Sequence, residues 1–87
     1  MPHQITIIYF AWVKERLGRD QEIVICPETA KTVGELVEHL RGRDTFYKAV
    51  FTDLTKLRFA LDHDFVGLDQ PLADAGELAI FPPVTGG

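Results

Sequence analysis

Cysteine is almost absent from this sequence. Cys26 is the only one, so the chain cannot close a disulfide on itself and gives no sign of an oxidising compartment. It ends a strand-like run with no histidine at a telling spacing, which predicts an inert, largely buried thiol. No apolar run approaches the length of a membrane span. The opening Met1-Pro2-His3-Gln4 lacks the basic start and apolar stretch of a secretory leader. A cytoplasmic protein with no membrane partner is therefore expected. Basic charge is also scarce: nine Lys and Arg stand against 13 Asp and Glu, for a net charge of −4. That excludes the basic stripe of a nucleic-acid binder and favours docking onto basic surfaces of larger partners. No glycine-rich phosphate loop or catalytic triad pattern occurs. His3, His39 and His63 show no metal-ligand spacing and read as solvated surface residues. Asp62, Asp64, Asp69 and Asp74 lack the regular spacing of a calcium loop and read as turn residues. No bound cofactor or metal is expected, and Trp12 and Tyr47 carry no functional assignment.

What the sequence does contain is one ordinary domain's worth of apolar residues. Eighty-seven residues, 46% hydrophobic and 25% charged, suit a single small globular unit. Residues 5–10, Ile-Thr-Ile-Ile-Tyr-Phe, are β-branched and aromatic and predict a buried strand. A short helix is expected over 11–17, stopped by Gly18 in the left-handed region, with the turn to the next strand in 18–21. Residues 22–26 form that second strand, which Pro27 ends because it has no amide hydrogen. Thr32 and Glu35 have the spacing of a capping box, and Val33, Leu36, Val37 and Leu40 then make one apolar stripe. Gly42 can close this helix. Gly34 inside it costs about 1 kcal/mol relative to alanine, which close packing against the sheet would offset. Residues 44–54 suit a second, shorter helix or an ordered loop. Residues 57–61 alternate like a strand, Asp62-His63-Asp64 supply turn chemistry, and Phe65-Val66 form a short apolar pair. After an irregular stretch over 67–76, residues 78–81 predict a last strand, stopped by Pro82-Pro83.

Strand, strand, helix, then further strands predict an α+β fold with a mixed sheet and a helix packed on one face. That is the plan of a ubiquitin-like β-grasp, although element order alone leaves other α+β arrangements open. The expected division is a domain over 1–81 and an extended C-terminal tail over 82–87. The prolines favour a stiff, polyproline-like lead, and Gly86 and Gly87 have no side chains to keep them out of a narrow channel. Gly-Gly alone is often just frayed chain. Diglycine at the end, directly after a strand and a β-grasp order, is a stronger pattern.

The ending Phe81-Pro82-Pro83-Val84-Thr85-Gly86-Gly87 resembles that of the MoaD family, the small subunits of molybdopterin synthase. Ile7-Ile8-Tyr9-Phe10-Ala11, Glu15 and Leu17-Gly18 are similar to the family's opening strand and turn. Phe65-Val66, Leu68-Asp69, Pro71-Leu72, Asp74 and Glu77 match its run before the last strand, so the resemblance spans essentially the whole chain. Lys14 stands where the family often has arginine, Asp74-Ala75-Gly76-Glu77 shifts a turn glycine by one, and Leu61-Asp62-His63-Asp64 replaces a more usual turn. The resemblance implies that a MoeB-like enzyme uses ATP to adenylate Gly87. A sulfur donor protein then converts it to a thiocarboxylate. The loaded tail would enter the active site of a MoaE-type large subunit, within a heterotetramer, and give sulfur to cyclic pyranopterin monophosphate. The chain is thus expected to be a carrier rather than an enzyme.

Strand alternation predicts where partners dock. Thr6, Ile8 and Phe10 should face away from the helix, as should Arg58, Ala60, Ala79 and Phe81. Ile8, Phe10, Ala60, Ala79 and Phe81 would form one apolar patch beside the tail. On pattern alone Phe10 and Phe81 read as core aromatics; the resemblance favours an interface, particularly for Phe81. The expected binding residues are thus Ile8, Phe10, Phe81, Pro82, Pro83, Val84, Thr85 and Gly86, with Gly87 as the reacting residue. The alternatives are a ThiS-like carrier for thiazole synthesis, a ubiquitin-like protein modifier, a non-covalent interaction module, or a small enzyme, the last lacking any clustered acid, base or metal set.

Overall fold

Alternation in the first strand decides where the core lies. In the computed structural model, which describes residues 3–83, Ile5, Ile7 and Tyr9 of β1 (His3–Tyr9) are buried, while Thr6 and Ile8 are partly exposed on the other face. The chain turns through α1 (Ala11–Leu17), which Gly18 ends in the left-handed region at φ 72°. It returns as β2 (Gln21–Cys26), antiparallel to β1. The capping box forms as expected: the Thr32 hydroxyl accepts from the Glu35 amide while Glu35 accepts from the amide of Thr32. It starts α2 (Val33–Arg41), whose Val33, Leu36, Val37 and Leu40 are all buried. Gly42 closes this helix with right-handed backbone, at φ −80°.

The stretch left open between a helix and a loop contains a helix, α3 (Thr45–Val50), because the Asp44 carboxylate accepts from the amides of Phe46 and Tyr47. A single 3-10 turn, Leu54–Lys56, leads into β3 (Arg58–Leu61). Asp62 and His63, at φ 47° and 75°, make a two-residue turn into β4 (Asp64–Val66). Such positive-φ pairs match the right-handed twist of a hairpin. The last strand is β5 (Glu77–Phe81).

The sheet order is β2-β1-β5-β3-β4, with β5 parallel to β1 and antiparallel to β3. This is the β-grasp arrangement: the crossover through α2 carries the chain from β2 to β3, and the last strand then inserts between β1 and β3. One contiguous core joins the inward faces of the strands to α2 and to Val13, Tyr47, Val50 and Phe51. Gly34 corrects one expectation, since its close neighbour is not the sheet. A Cβ there would lie 3.1 Å from the Leu68 carbonyl oxygen, which already accepts a 2.8 Å hydrogen bond from the Gly34 amide. The glycine thus lets the loop before β5 lie directly on the helix. His3 corrects another: its Nε2–H donates to the Ala75 carbonyl at 2.6 Å rather than standing free in solvent. Cys26 is buried, and burial pushes its thiol pKa up. Among the described residues no helix is long and apolar enough to cross a membrane. The tail from Val84 onward lies outside the described residues.

Candidate functional site

The central strand ends where the tail begins, and the register of its neighbours builds that end. Ile8 of β1 lies opposite Ala79, and across β5 Ala79 lies opposite Ala60, itself opposite Phe65. One row of apolar side chains therefore crosses the face that α2 leaves open. The next row holds Phe81, with Arg58 opposite it on β3. Phe10, whose amide donates to the Ile80 carbonyl at 3.2 Å, presents its ring edge to Phe81 at 6.5 Å between centroids. Phe65 approaches Phe81 from the other side at 5.8 Å. Phe81 is half-buried between two exposed rings: Phe10 is 48% exposed and Phe65 83%. A contiguous apolar surface of this kind on a small protein marks an interaction site.

The tail leaves between two depressions. A cleft of about 380 Å³ is lined by Arg58, Phe59, Phe65, Val66, Phe81 and Pro83. On the other side, a wider groove of about 890 Å³ runs between Trp12 and Arg16 of α1 and the 49–56 segment, with Pro82 and Pro83 along its wall. The Arg16 guanidinium lies 5.5 Å over the Trp12 ring.

Of the residues expected in the site, the structure brings Ile8, Phe10, Phe81, Pro82 and Pro83 to one end of the sheet. Val84, Thr85, Gly86 and Gly87 lie outside the described residues. The outward facing of Thr6, Ile8, Phe10, Arg58, Ala79 and Phe81 is as expected. Ala60 is also outside the core cluster, but only 9% exposed, so it lies beneath the patch rather than on its surface. Phe65 was missed as a patch residue. A two-residue turn at Asp62-His63 would have revealed it, since that length pairs Ala60 with Phe65 and fixes its face.

A second constellation was not anticipated. The Glu22 carboxylate accepts from the Tyr9 and Tyr47 hydroxyls, each at 2.6 Å, and from Arg43 at 2.6 Å and Arg19 at 3.3 Å. Burial pushes the Glu22 carboxyl up, but hydrogen bonds from Tyr47, Tyr9 and Arg43 outweigh it and hold the group below its ordinary pKa. Tyr9 is driven far above the usual phenol range by burial and by its bond to Glu22. The cluster pins α3 to the β1–β2 hairpin. Its role is structural, because both Glu22 oxygens are already engaged, one by the tyrosine hydroxyls and the other by the arginines.

Fold and strand end together define a β-grasp domain whose central strand delivers a proline-led C-terminal segment. The ThiS family matches residues 7–87, and the chain belongs to that family. It is 36% identical over 83 residues to the molybdopterin synthase sulfur carrier subunit of Escherichia coli K12, covering 95% of this chain and 99% of that one. The Dictyostelium discoideum protein of the same name is 30% identical over the whole of both chains. Among solved structures, small archaeal modifier protein 1 of Haloferax volcanii matches with a TM-score of 0.76 at 25% identity, covering 97% of this chain and 99% of that one. The solution structure of its Methanosarcina acetivorans namesake, 19% identical, shares the fold with a TM-score of 0.73 over 100% and 99% of the two chains.

Proposed function

We propose that this chain is the sulfur carrier subunit of molybdopterin synthase, acting in molybdenum cofactor biosynthesis in the cytoplasm. The observation that carries the reading is the Phe81-Pro82-Pro83-Val84-Thr85-Gly86-Gly87 ending, set on the central strand of a β-grasp in a chain that matches carrier subunits over its length. In this reading residues 1–81 are the handle and 82–87 the working tail. Gly87 is the reacting residue. A carboxylate is a poor electrophile, so a MoeB-like partner converts it with ATP to an acyl-adenylate, releasing pyrophosphate. Sulfide-level sulfur delivered by a donor protein then attacks the acyl carbon, displaces AMP and leaves a thiocarboxylate. That group is anionic at neutral pH and a better nucleophile than the carboxylate it replaces. In the MoaE-type large subunit it attacks cyclic pyranopterin monophosphate on the way to the dithiolene. The acid, base and phosphate-binding groups are the partners'; this chain supplies the sulfur, its tether and a docking face.

Ile8, Phe10 and Phe81, with Phe65, form that face, and the Pro82-Pro83 lead with Val84, Thr85 and Gly86 enters the partner's channel. Incubation with the adenylating enzyme, ATP and a sulfur source should add about sixteen mass units at the C-terminus, the oxygen-to-sulfur difference. Removing Gly87, or adding one residue after it, should abolish transfer while the domain still melts cooperatively, because the reacting atom moves out of reach. Retained sulfur transfer after trimming would overturn the proposal. The likeness to archaeal modifier proteins favours a second reading, a protein modifier. Its mark in the same experiment, run with cell extract, is an isopeptide adduct on lysine rather than a thiocarboxylate.

A further inference from the structure

Three cations of this acidic chain stand together beside the start of its C-terminal segment. Arg16 and Lys56 line the groove beside Pro82 and Pro83, and Arg58 lines the cleft on the other side of Pro83. Among the described residues none of these three cations makes an ion pair. The one carboxylate lining the groove, Asp53, accepts the amide and hydroxyl of Thr55 on Oδ1 and lies near enough to Lys56 to feel its charge, which leaves Arg16 as the less compensated of the two groove cations. At the opposite end of β3 and β5 the balance reverses. Asp62 accepts from the amides of Gly76 and Glu77, Asp64 lies opposite Leu61 at the hairpin turn, and Glu77 has only His63 nearby, at 3.7 Å. The net charge of −4 thus conceals a local cluster of three cations beside the Pro82-Pro83 lead. Net charge alone points to basic partners, whereas the placement presents the tail end to acidic ones.

We infer that the groove between α1 and the 49–56 segment docks an acidic loop of the protein that receives the tail. The partner's carboxylates meet Arg16 and Lys56, and an apolar side chain enters against Trp12, Val50 and Pro83. The Arg16 guanidinium, laid over the Trp12 ring, is held at the rim with its donors free for a carboxylate. The groove shares Pro82 and Pro83 with the tail lead, so a protein that threads the tail passes over it. Its wall and the phenylalanine face lie on opposite sides of that lead, so the two surfaces grip different sides of one entrance. Charges placed this way raise the encounter rate and bring the tail in first, with less effect on dissociation. Nucleic acid is a poorer occupant, since three cations on an acidic chain do not make the footprint that phosphate backbones need.

The inference rests on the carrier reading, and one experiment separates the two. Association of the full chain with its MoaE-type large subunit, and with its MoeB-like enzyme, is followed by stopped flow at about 50 mM and about 500 mM salt. The double variant Arg16→Glu with Lys56→Glu is compared with Lys31→Glu plus Arg41→Glu, which has the same net charge but alters the far side. The tail-end pair should associate about tenfold more slowly at low salt with the large subunit, the inferred occupant, and the gap should close at high salt; a slowing with the MoeB-like enzyme alone would overturn that assignment. The control pair should stay within about threefold of the parent. Equal rates for the two doubles, or a gap that survives high salt, would overturn the docking site while leaving the carrier role standing. Failure of the unaltered chain to bind either protein would remove the carrier reading, and this inference with it. Should a charge reversal disturb folding, Arg16→Gln with Lys56→Gln keeps the same ordering with a smaller gap.

Discussion

Replacing Glu22 by glutamine tests whether the fold depends on a partly buried carboxylate that joins α3 to the β1–β2 hairpin. The side chain is 10% exposed and receives two tyrosine hydroxyls and two arginines. Glutamine keeps the volume but has only one acceptor oxygen. Arg43 cannot accept a hydrogen bond, so the amide must turn its oxygen to Arg43 and its nitrogen to the tyrosines, whose hydroxyls can rotate to accept. The two tyrosine bonds thereby become neutral ones and the Arg43 ion pair becomes a bond from a charged donor to a neutral acceptor, at a difference of about 1 kcal/mol each. The arginines are partly solvated, with Arg43 32% exposed and Arg19 49%, which trims the total to about 2–3 kcal/mol. For a domain of this size that is a fall in Tm of about 10–20 °C. The loss should also depend on pH. The folded carboxyl titrates below its unfolded value of about 4.3, so its contribution is complete above that value and is lost as pH falls through the lower, folded pKa. Urea titrations of both proteins at pH 7, 5 and 3.5 should show a stability gap that is constant between the first two and narrower at the third. A gap below about 0.5 kcal/mol at pH 7, or one that does not shrink on acidification, would refute the reasoning.

Three other outcomes are expected. Phe81→Ala should weaken binding to the large subunit about tenfold or more by removing the ring between Phe10 and Phe65, with cooperative unfolding retained; an unchanged Kd would count against the docking face. Gly34→Ala should lower stability by about 1 kcal/mol despite the better helix propensity, because Leu68 is tethered to the Gly34 amide and cannot retreat. A more stable variant in thermal melts would show that the loop gives way. Ala73→Gly should raise stability by about 0.5–1 kcal/mol, since exposed Ala73 is held at φ 48° where glycine is unstrained; a loss measured by denaturant titration would contradict this.

The local elements were largely readable because each is set by nearby chemistry. Thr32 with Glu35 starts a helix wherever it is found, Gly18 stops one, and alternation in residues 5–9 separates core from open face. What could not be read depends on partners distant in sequence. Asp62 appeared to be only a turn residue, yet its carboxylate holds the amides of Gly76 and Glu77 and so fixes the start of β5. Tyr47 and Glu22 are 25 positions apart, and nothing in either neighbourhood announces the 2.6 Å bond between them. Gly34 was rightly marked as a close approach, but the approaching segment, around Leu68, lies in the stretch with the least pattern. The proposed site has a signal of a different kind, the terminal motif itself, and the fold adds aromatic and cationic flanks around its Pro82-Pro83 lead.

The parallel pairing of the first and last strands has a mechanical consequence. Tension applied to the tail passes into β5, which is held along its length by β1 on one side and β3 on the other. Such a load slides both ladders in shear, so their hydrogen bonds resist together instead of opening one at a time as in a peeled hairpin. In the proposed role, the force of withdrawing the C-terminal segment from a partner would therefore fall on the hub of the sheet rather than on an edge strand.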